Sequence, residues 1–287
     1  MPKHIEIFQI DAFTSEPFKG NPAAVVLENS LSENEMINIA SEMNLSETAF
    51  LSISELTDFN LRWFTPKTEV KLCGHATIAS LHYLYEKNLI QENSTITFST
   101  KSGNIKAGRC NSYYWMQLPT INFSRVENSL TELYSALGLS LEQINNDAYI
   151  GSNGYLFICV DNLTTLFNLR PDFNRISEIL LSQNDFSNIV IYTVQTIESE
   201  SIAHIRFFAP NEGIFEDPVT GSAAGPLLPL LIKQNLIKNF SNDRIYIIEQ
   251  GDVLNRPGRI GVSFNSRENI LKIFGKAVTT LKGSLII

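Results

Sequence analysis

Arg62-Trp63-Phe64-Thr65-Pro66 and Arg206-Phe207-Phe208-Ala209-Pro210 repeat one short phrase at an offset of 206 − 62 = 144 residues in a chain of 287. Each phrase leads through a polar loop into a glycine-centred turn and a run of small residues. These are Cys73-Gly74-His75-Ala76-Thr77 in the first half and Thr220-Gly221-Ser222-Ala223-Ala224 in the second. The second loop is three residues longer, since Pro66 to Gly74 is 8 steps and Pro210 to Gly221 is 11. The phrase alone could be any strand end followed by a turn; the shared downstream pattern and half-chain spacing favour one unit used twice. Glycine lets the backbone approach a ligand closely, and a first helical turn leaves N–H groups that favour an anion. The two helix starts are therefore expected to act as two walls of one cleft for a small carboxylate.

The 22 basic and 30 acidic residues leave a net charge of −8, which argues against nucleic acid as a partner because that surface needs a basic footprint. Hydrophobic residues at 44% and charged ones at 18% describe a globular chain, long enough for two domains of roughly 140 residues. No apolar run approaches the roughly 20 residues that span a bilayer. The chain start alternates as a strand instead of reading as a signal peptide, so a cytoplasmic protein with no membrane partner is expected. Cys73, Cys110 and Cys159 are odd in number and unclustered, which fits a reducing compartment. The four histidines form no His-x-x-x-His pair, and Cys73-x-His75 has no second ligand pair nearby, so no metal site is expected. Dinucleotide and phosphate fingerprints and the Gly-x-Ser-x-Gly elbow are also missing, which points to chemistry without a cofactor.

Short β-branched or aromatic runs bounded by turn formers predict strands over 5–12, 23–27, 49–53, 60–64, 95–99, 103–110 and 113–117. Helical spacing covers 32–43, with Ser32 as N-cap and Glu35 completing a capping box. A second helix fits 75–87, with Ile78, Leu81, His82 and Tyr85 on one face. Pro119 closes this half and 120–128 reads as a connector. Helices at 130–137 and 140–145 follow, then strands at 155–160, 189–194, 203–208, 244–250, 259–264 and 270–274. This order predicts an α+β fold of two mixed β-barrels, each wrapped around one buried helix. Pro226 and Pro229 fall inside the second such helix, where each removes an amide donor. A kink or a broken first turn is expected there.

Four segments are dense in turn formers and isolated polar groups: 11–24, 44–50, 73–77 and 213–225. Asp11-Ala12-Phe13-Thr14, Pro17-Phe18-Lys19-Gly20-Asn21-Pro22-Ala23-Ala24-Val25, Asn44-Leu45-Ser46-Glu47-Thr48-Ala49-Phe50, Leu72-Cys73-Gly74-His75-Ala76-Thr77 and Glu216-Asp217-Pro218-Val219-Thr220-Gly221-Ser222-Ala223, with Gln250-Gly251 and Arg256-Pro257 further on, resemble the phenazine biosynthesis PhzF-like family of the diaminopimelate epimerase superfamily. The resemblance implies two pseudo-symmetric barrel-and-helix domains, 1–118 completed by a returning strand at 275–287, and 119–274. It also implies a cofactor-independent isomerase, possible homodimerisation, and a glutamate that moves a proton between carbons of a small cyclic amino-carboxylate. By motif position that glutamate is Glu47, and His75, Asp217 and Ser222 fall at the family's other active-site positions; Gly74, Gly221 and Ser222, with Ser46, are the candidates for holding the substrate, through backbone N–H groups and hydroxyls.

Residue chemistry supports some of this and offers plainer alternatives. Glu47 lies between Leu45 and Phe50, where burial would raise its pKa toward that of a group serving as both base and acid; the plainer reading is a solvated turn capped by Ser46 or Thr48. Asp217 before Pro218 is also a common turn opening, and the two glycines also merely permit tight turns. His75 in a first helical turn leans neutral beside the positive dipole end. The epimerase branch of the superfamily pairs two cysteines, one at each helix start, but here Cys73 is matched by Thr220, which has no ionisation near neutral pH. A two-thiol racemisation is thereby demoted, Cys73 reads as structural, and the longer second loop is taken to carry Asp217. An amino-acid racemase or epimerase with a non-cysteine second base, and a non-catalytic small-molecule-binding or protein-interaction module, are the alternatives.

Overall fold

The computed structural model describes residues 2–287. The chain divides into two compact units, residues 1–118 with 258–260 and 272–287, and residues 119–257 with 261–271. Both mix strands and helices, an α+β class.

In the first unit, β1 (His4–Ala12), β2 (Asn21–Leu27), β3 (Glu47–Ile53) and β4 (Phe59–Phe64) pair in sequence. The β2–β3 pair is parallel, so the chain must cross back between them, and α1 (Glu33–Met43) makes that crossing. Its start follows from sequence. The Ser32 side chain accepts from Glu35 N–H while Glu35 Oε2 accepts from Ser32 N–H at 2.7 Å. Met36, Ile39 and Ala40 of α1 close a core with Ile5, Ile7, Val26, Phe50 and Phe64. The strand Ala277–Ile286 returns antiparallel to β1, with a register break between Gln9 and Ile10.

The helix α2 (Gly74–Glu86) is buried on nearly every side. The one-faced pattern expected from its sequence is therefore too narrow, and His82 and Tyr85 are among its less buried residues. A helix enclosed this way must satisfy its own polar side chains. Thr77 Oγ1 donates to the Cys73 carbonyl at 2.6 Å and Ser80 Oγ to the Ala76 carbonyl at 2.7 Å.

The second unit repeats the arrangement. Tyr155–Cys159 runs parallel to Asn188–Thr193, which pairs antiparallel with Ser201–Ala209. The helix Phe173–Ser182, capped by Asp172, makes the crossing, and Ile176 and Leu180 pack on Ile189, Ile191 and Phe208. No helix is expected there from the sequence, and Phe123–Arg125 forms a short strand within the expected connector 120–128. The helix Gly221–Lys233 starts close enough to Ser222 to admit Pro226 and continues through Pro229, so its first turn is not broken. Leu227, Leu228, Leu230 and Leu231 are fully buried along it. At about 1.5–3 kcal/mol each, the four at least match a cost of about 3 kcal/mol for each proline.

The repeated phrase is a brace, built the same way in each unit. Arg62 on β4 grips Glu69 through two hydrogen bonds of 2.8 and 2.9 Å and lies 5.0 Å over the Phe64 ring. Arg206 grips Glu216 at 2.8 and 2.7 Å and lies 5.2 Å over Phe208. The offsets 206 − 62 and 208 − 64 are both 144, whereas 216 − 69 is 147. The three extra residues are taken up before Glu216, where Pro210–Glu212 forms a 3₁₀ turn.

Candidate active site

In the first unit, pleating places residues opposed across two strands on the same face. Thr48 lies opposite Phe64 and Ala49 opposite Trp63. Arg62, Phe64 and Glu69 thus share the brace face, while Glu47, at the start of β3, falls on the other. Glu47 is buried rather than a solvated turn, at 8% exposure. Its Oε2 lies 3.2 Å from His75 Nε2, within reach of charge attraction but without hydrogen-bond alignment, and that oxygen has no hydrogen-bond partner among the described residues. Ser46 is half-buried in the bend before β3.

His75 and Cys73 are fixed by the start of α2, where Cys73 is the N-cap in an extended conformation and Gly74 begins the helix. The Cys73 sulfur lies 3.5 Å from His75 Nδ1 and 3.9 Å from Nε2. Burial pushes the Cys73 thiol up to about 11, with the Glu47 charge adding to it. For His75, burial disfavours the imidazolium, but Cys73 and Glu47 outweigh it and hold the ring well above its ordinary range. The expectation of a neutral His75 is thus reversed: the Glu47 carboxylate 3.2 Å away acts more strongly than the helix-start field.

Asn21 completes this cluster, its amide nitrogen 3.2 Å from His75 Nδ1. Sequence reasoning included Asn21 only within a longer phrase. Its signal was a buried polar residue next to Gly20, whose φ of +61° and 2.1 Å approach to the Ala12 carbonyl, measured from an added Cβ, admit no side chain. Sequence spacing also gave Cys73-x-His75 no further ligand, yet the fold brings Glu47 beside them. The ligand atoms of Glu47, Cys73 and His75 all lie within 4.8 Å of one another.

In the second unit, Asp217 lies opposite Phe207, as Val70 lies opposite Trp63. The offset 217 − 70 is 147, as are 220 − 73 and 222 − 75. Asp217 therefore takes the place of Val70 on a strand, Ile214–Asp217, and the added loop length does not carry it. The same register, with Ile189 opposite Phe208, puts Asn188 where the first unit has Glu47. Thr220 Oγ1 donates to Asp217 Oδ2 at 2.5 Å. Gly221 opens the helix, and the Ser222 and Tyr155 hydroxyls lie 3.2 Å apart.

Gln250 holds this turn together. Its Oε1 accepts from Thr220 N–H at 2.7 Å, and its Nε2 donates to the Asp217 carbonyl at 2.8 Å and to Thr220 Oγ1 at 3.0 Å. Gly251 follows at φ +90°, where an added Cβ would stand 2.6 Å from the Pro218 carbonyl. The preceding Glu249 is fully buried and anchors the neighbouring loop. It accepts from the N–H groups of Ile197 and Glu198 at 2.9 and 2.8 Å and from His204 Nδ1 at 2.9 Å. Burial would raise its carboxyl, but these donors hold it down at about 2. Because the folded value lies below the ordinary 4.5, the stabilisation is whole above that pH and is lost as pH falls toward about 2. Urea midpoints should therefore fall more steeply across this window in the native protein than in Glu249→Gln. Parallel acid profiles would remove Glu249 from that role.

No helix of the described residues is long and apolar enough to cross a membrane. The profile of the family described as phenazine biosynthesis-like protein, PhzC-PhzF, matches residues 10–283. An uncharacterized isomerase of Halalkalibacterium halodurans is 37% identical over 98% of each chain. Another, YfhB of Bacillus subtilis, is 33% identical over 94% of each. The crystal structure of the Bacillus anthracis phenazine biosynthesis protein of the PhzF family superposes with a TM-score of 0.89 at 29% identity, covering 99% of this chain and 100% of that one. This chain, an enzyme of isomerase type, therefore belongs to the phenazine biosynthesis-like PhzC-PhzF family.

Proposed function

We propose that the protein shifts a proton between carbons of a small, unsaturated or amino-substituted carboxylic acid, without a cofactor and with Glu47 as both base and acid. The observation that carries this reading is Glu47 itself. It is a buried carboxylate with one oxygen lacking any hydrogen-bond partner among the described residues, beside a histidine at a buried helix start. A buried oxygen without a hydrogen bond is costly in a resting protein, and a carbon-bound proton gives it a task. His75, as imidazolium, orients Glu47 and substrate. In the second unit, Asp217, held through Thr220 and Gln250, is the candidate for orienting a substrate amine, and Ser222 and the Gly221 N–H for a carboxylate; in the first, Ser46 and the Gly74 N–H are the candidates for a carboxylate.

Stereoinversion by thiols is disfavoured. A Cys73 thiol at about 11 is a poor base near neutral pH, and its counterpart Thr220 already donates to Asp217. Small carboxylates incubated with the protein in deuterated water test the proposal, with NMR following the carbon-bound positions. Protein-dependent deuterium incorporation into at least one is expected. A carboxylate that raises the melting temperature but never exchanges would replace this reading with that of a binding module.

A further inference from the structure

We propose that Glu47, Cys73 and His75 form a binding site for a borderline-soft divalent cation of the zinc class. The chemistry of the donors is one ground: a thiol, an imidazole and a carboxylate are the side chains that bind zinc. Geometry is a second. With zinc bonds of about 2.0 Å to nitrogen and oxygen and about 2.3 Å to sulfur, a tetrahedral site has N–O edges of about 3.3 Å and N–S edges of about 3.6 Å. Here His75 Nε2 lies 3.2 Å from Glu47 Oε2 and 3.9 Å from Cys73 Sγ, so small side-chain rotations close the set. Three protein ligands leave a fourth corner open.

Glu47 Oε2 supplies an independent observation, because it is buried beside the other two ligand atoms and makes no hydrogen bond of its own among the described residues. Asn21 supports the imidazole at Nδ1, the usual place for an outer partner of a metal-bound histidine. Either end of its amide can be presented there. On binding, the S–H proton of Cys73 and the N–H proton at His75 Nε2 pass to solvent. Bonds from sulfur, nitrogen and oxygen to the cation replace three of its waters, and no electron changes hands. Magnesium and calcium, which require mostly oxygen ligands, fit poorly. Where Glu47 is the proton carrier, the occupied site is an inhibited one; binding itself is read without reference to that chemistry.

The test uses cadmium, whose thiolate complexes absorb in the ultraviolet. It is run on a Cys110→Ser background because Cys110 is an exposed competing thiol. One equivalent of charge-transfer absorption, displaced by zinc, is expected in this protein and should vanish in Cys73→Ser. Glu47→Gln should weaken cadmium binding by at least the about 10- to 100-fold that loss of a mere outer partner costs. Absorption that survives in Cys73→Ser, or is missing from the Cys110→Ser protein, overturns the site. Should Cys73→Ser fail to fold, X-ray absorption of the zinc-loaded Cys110→Ser chain decides: one sulfur among the ligands supports the proposal and none refutes it.

Discussion

In Glu47→Gln, solvent deuterium should enter a substrate carbon about 10²- to 10⁴-fold more slowly than with the unmodified protein, the range a general acid–base group supplies. Substrate binding should be largely retained. Glutamine keeps the shape of the side chain but cannot take a proton from carbon. A buried amide is also tolerated in this register, since Asn188 occupies the matching position of the second unit, 2% exposed, and donates to Glu212 at 2.7 Å. Exchange is followed by NMR and binding by thermal shift on the same samples. An exchange rate within tenfold of the unmodified protein would dismiss Glu47 as the proton carrier.

Arg206→Ala should be the most destabilising of single changes in the brace, by about 3–5 kcal/mol, the cost of leaving a buried pair half-removed. The Arg206 and Glu216 side chains are 6% and 11% exposed. The arginine also donates to the Leu166 carbonyl at 3.0 Å, which would be left without that donor. Arg62 has the same fork but its side chain is 32% exposed. Water replaces more of what Arg62→Ala removes, so its loss should be clearly smaller. Urea midpoints of the two variants make the comparison within one molecule. Equal losses would show that burial does not set the strength of the brace.

Much of this was legible in the chain because it is local. The Ser32–Glu35 capping box links residues three positions apart, and α2 lies one residue from its expected bounds at each end. Expectations failed where distant partners decide. Pro229 removes an amide donor inside the helix by local rules, and the burial of the surrounding leucines offsets that cost. The helix Phe173–Ser182 has its signal in Asp172, Ile176, Ile179 and Leu180, but stands in a strand-rich stretch where a short periodic run is easily passed over. At the site, only the resemblance of the motifs singled out Glu47, His75 and Asp217, since residue chemistry alone also allowed plain turns. Gln250 and Asn21 act on residues 30 and 54 positions away, a relation that no spacing within the chain displays.

The two units keep Arg62 and Arg206, Phe64 and Phe208, and Glu69 and Glu216 alike. They differ at Glu47 and Asn188, Val70 and Asp217, Cys73 and Thr220, and His75 and Ser222. By strand register, the shared residues of β4 and its partners stand on one side of the pleat, while Glu47, Val70, Asn188 and Asp217 stand on the other. Under the proposed function, structural support and reactivity fall to separate sets of residues on the same strands. Drift in the reactive set leaves the bracing untouched, the condition under which a doubled fold can acquire new substrates without first forfeiting its stability.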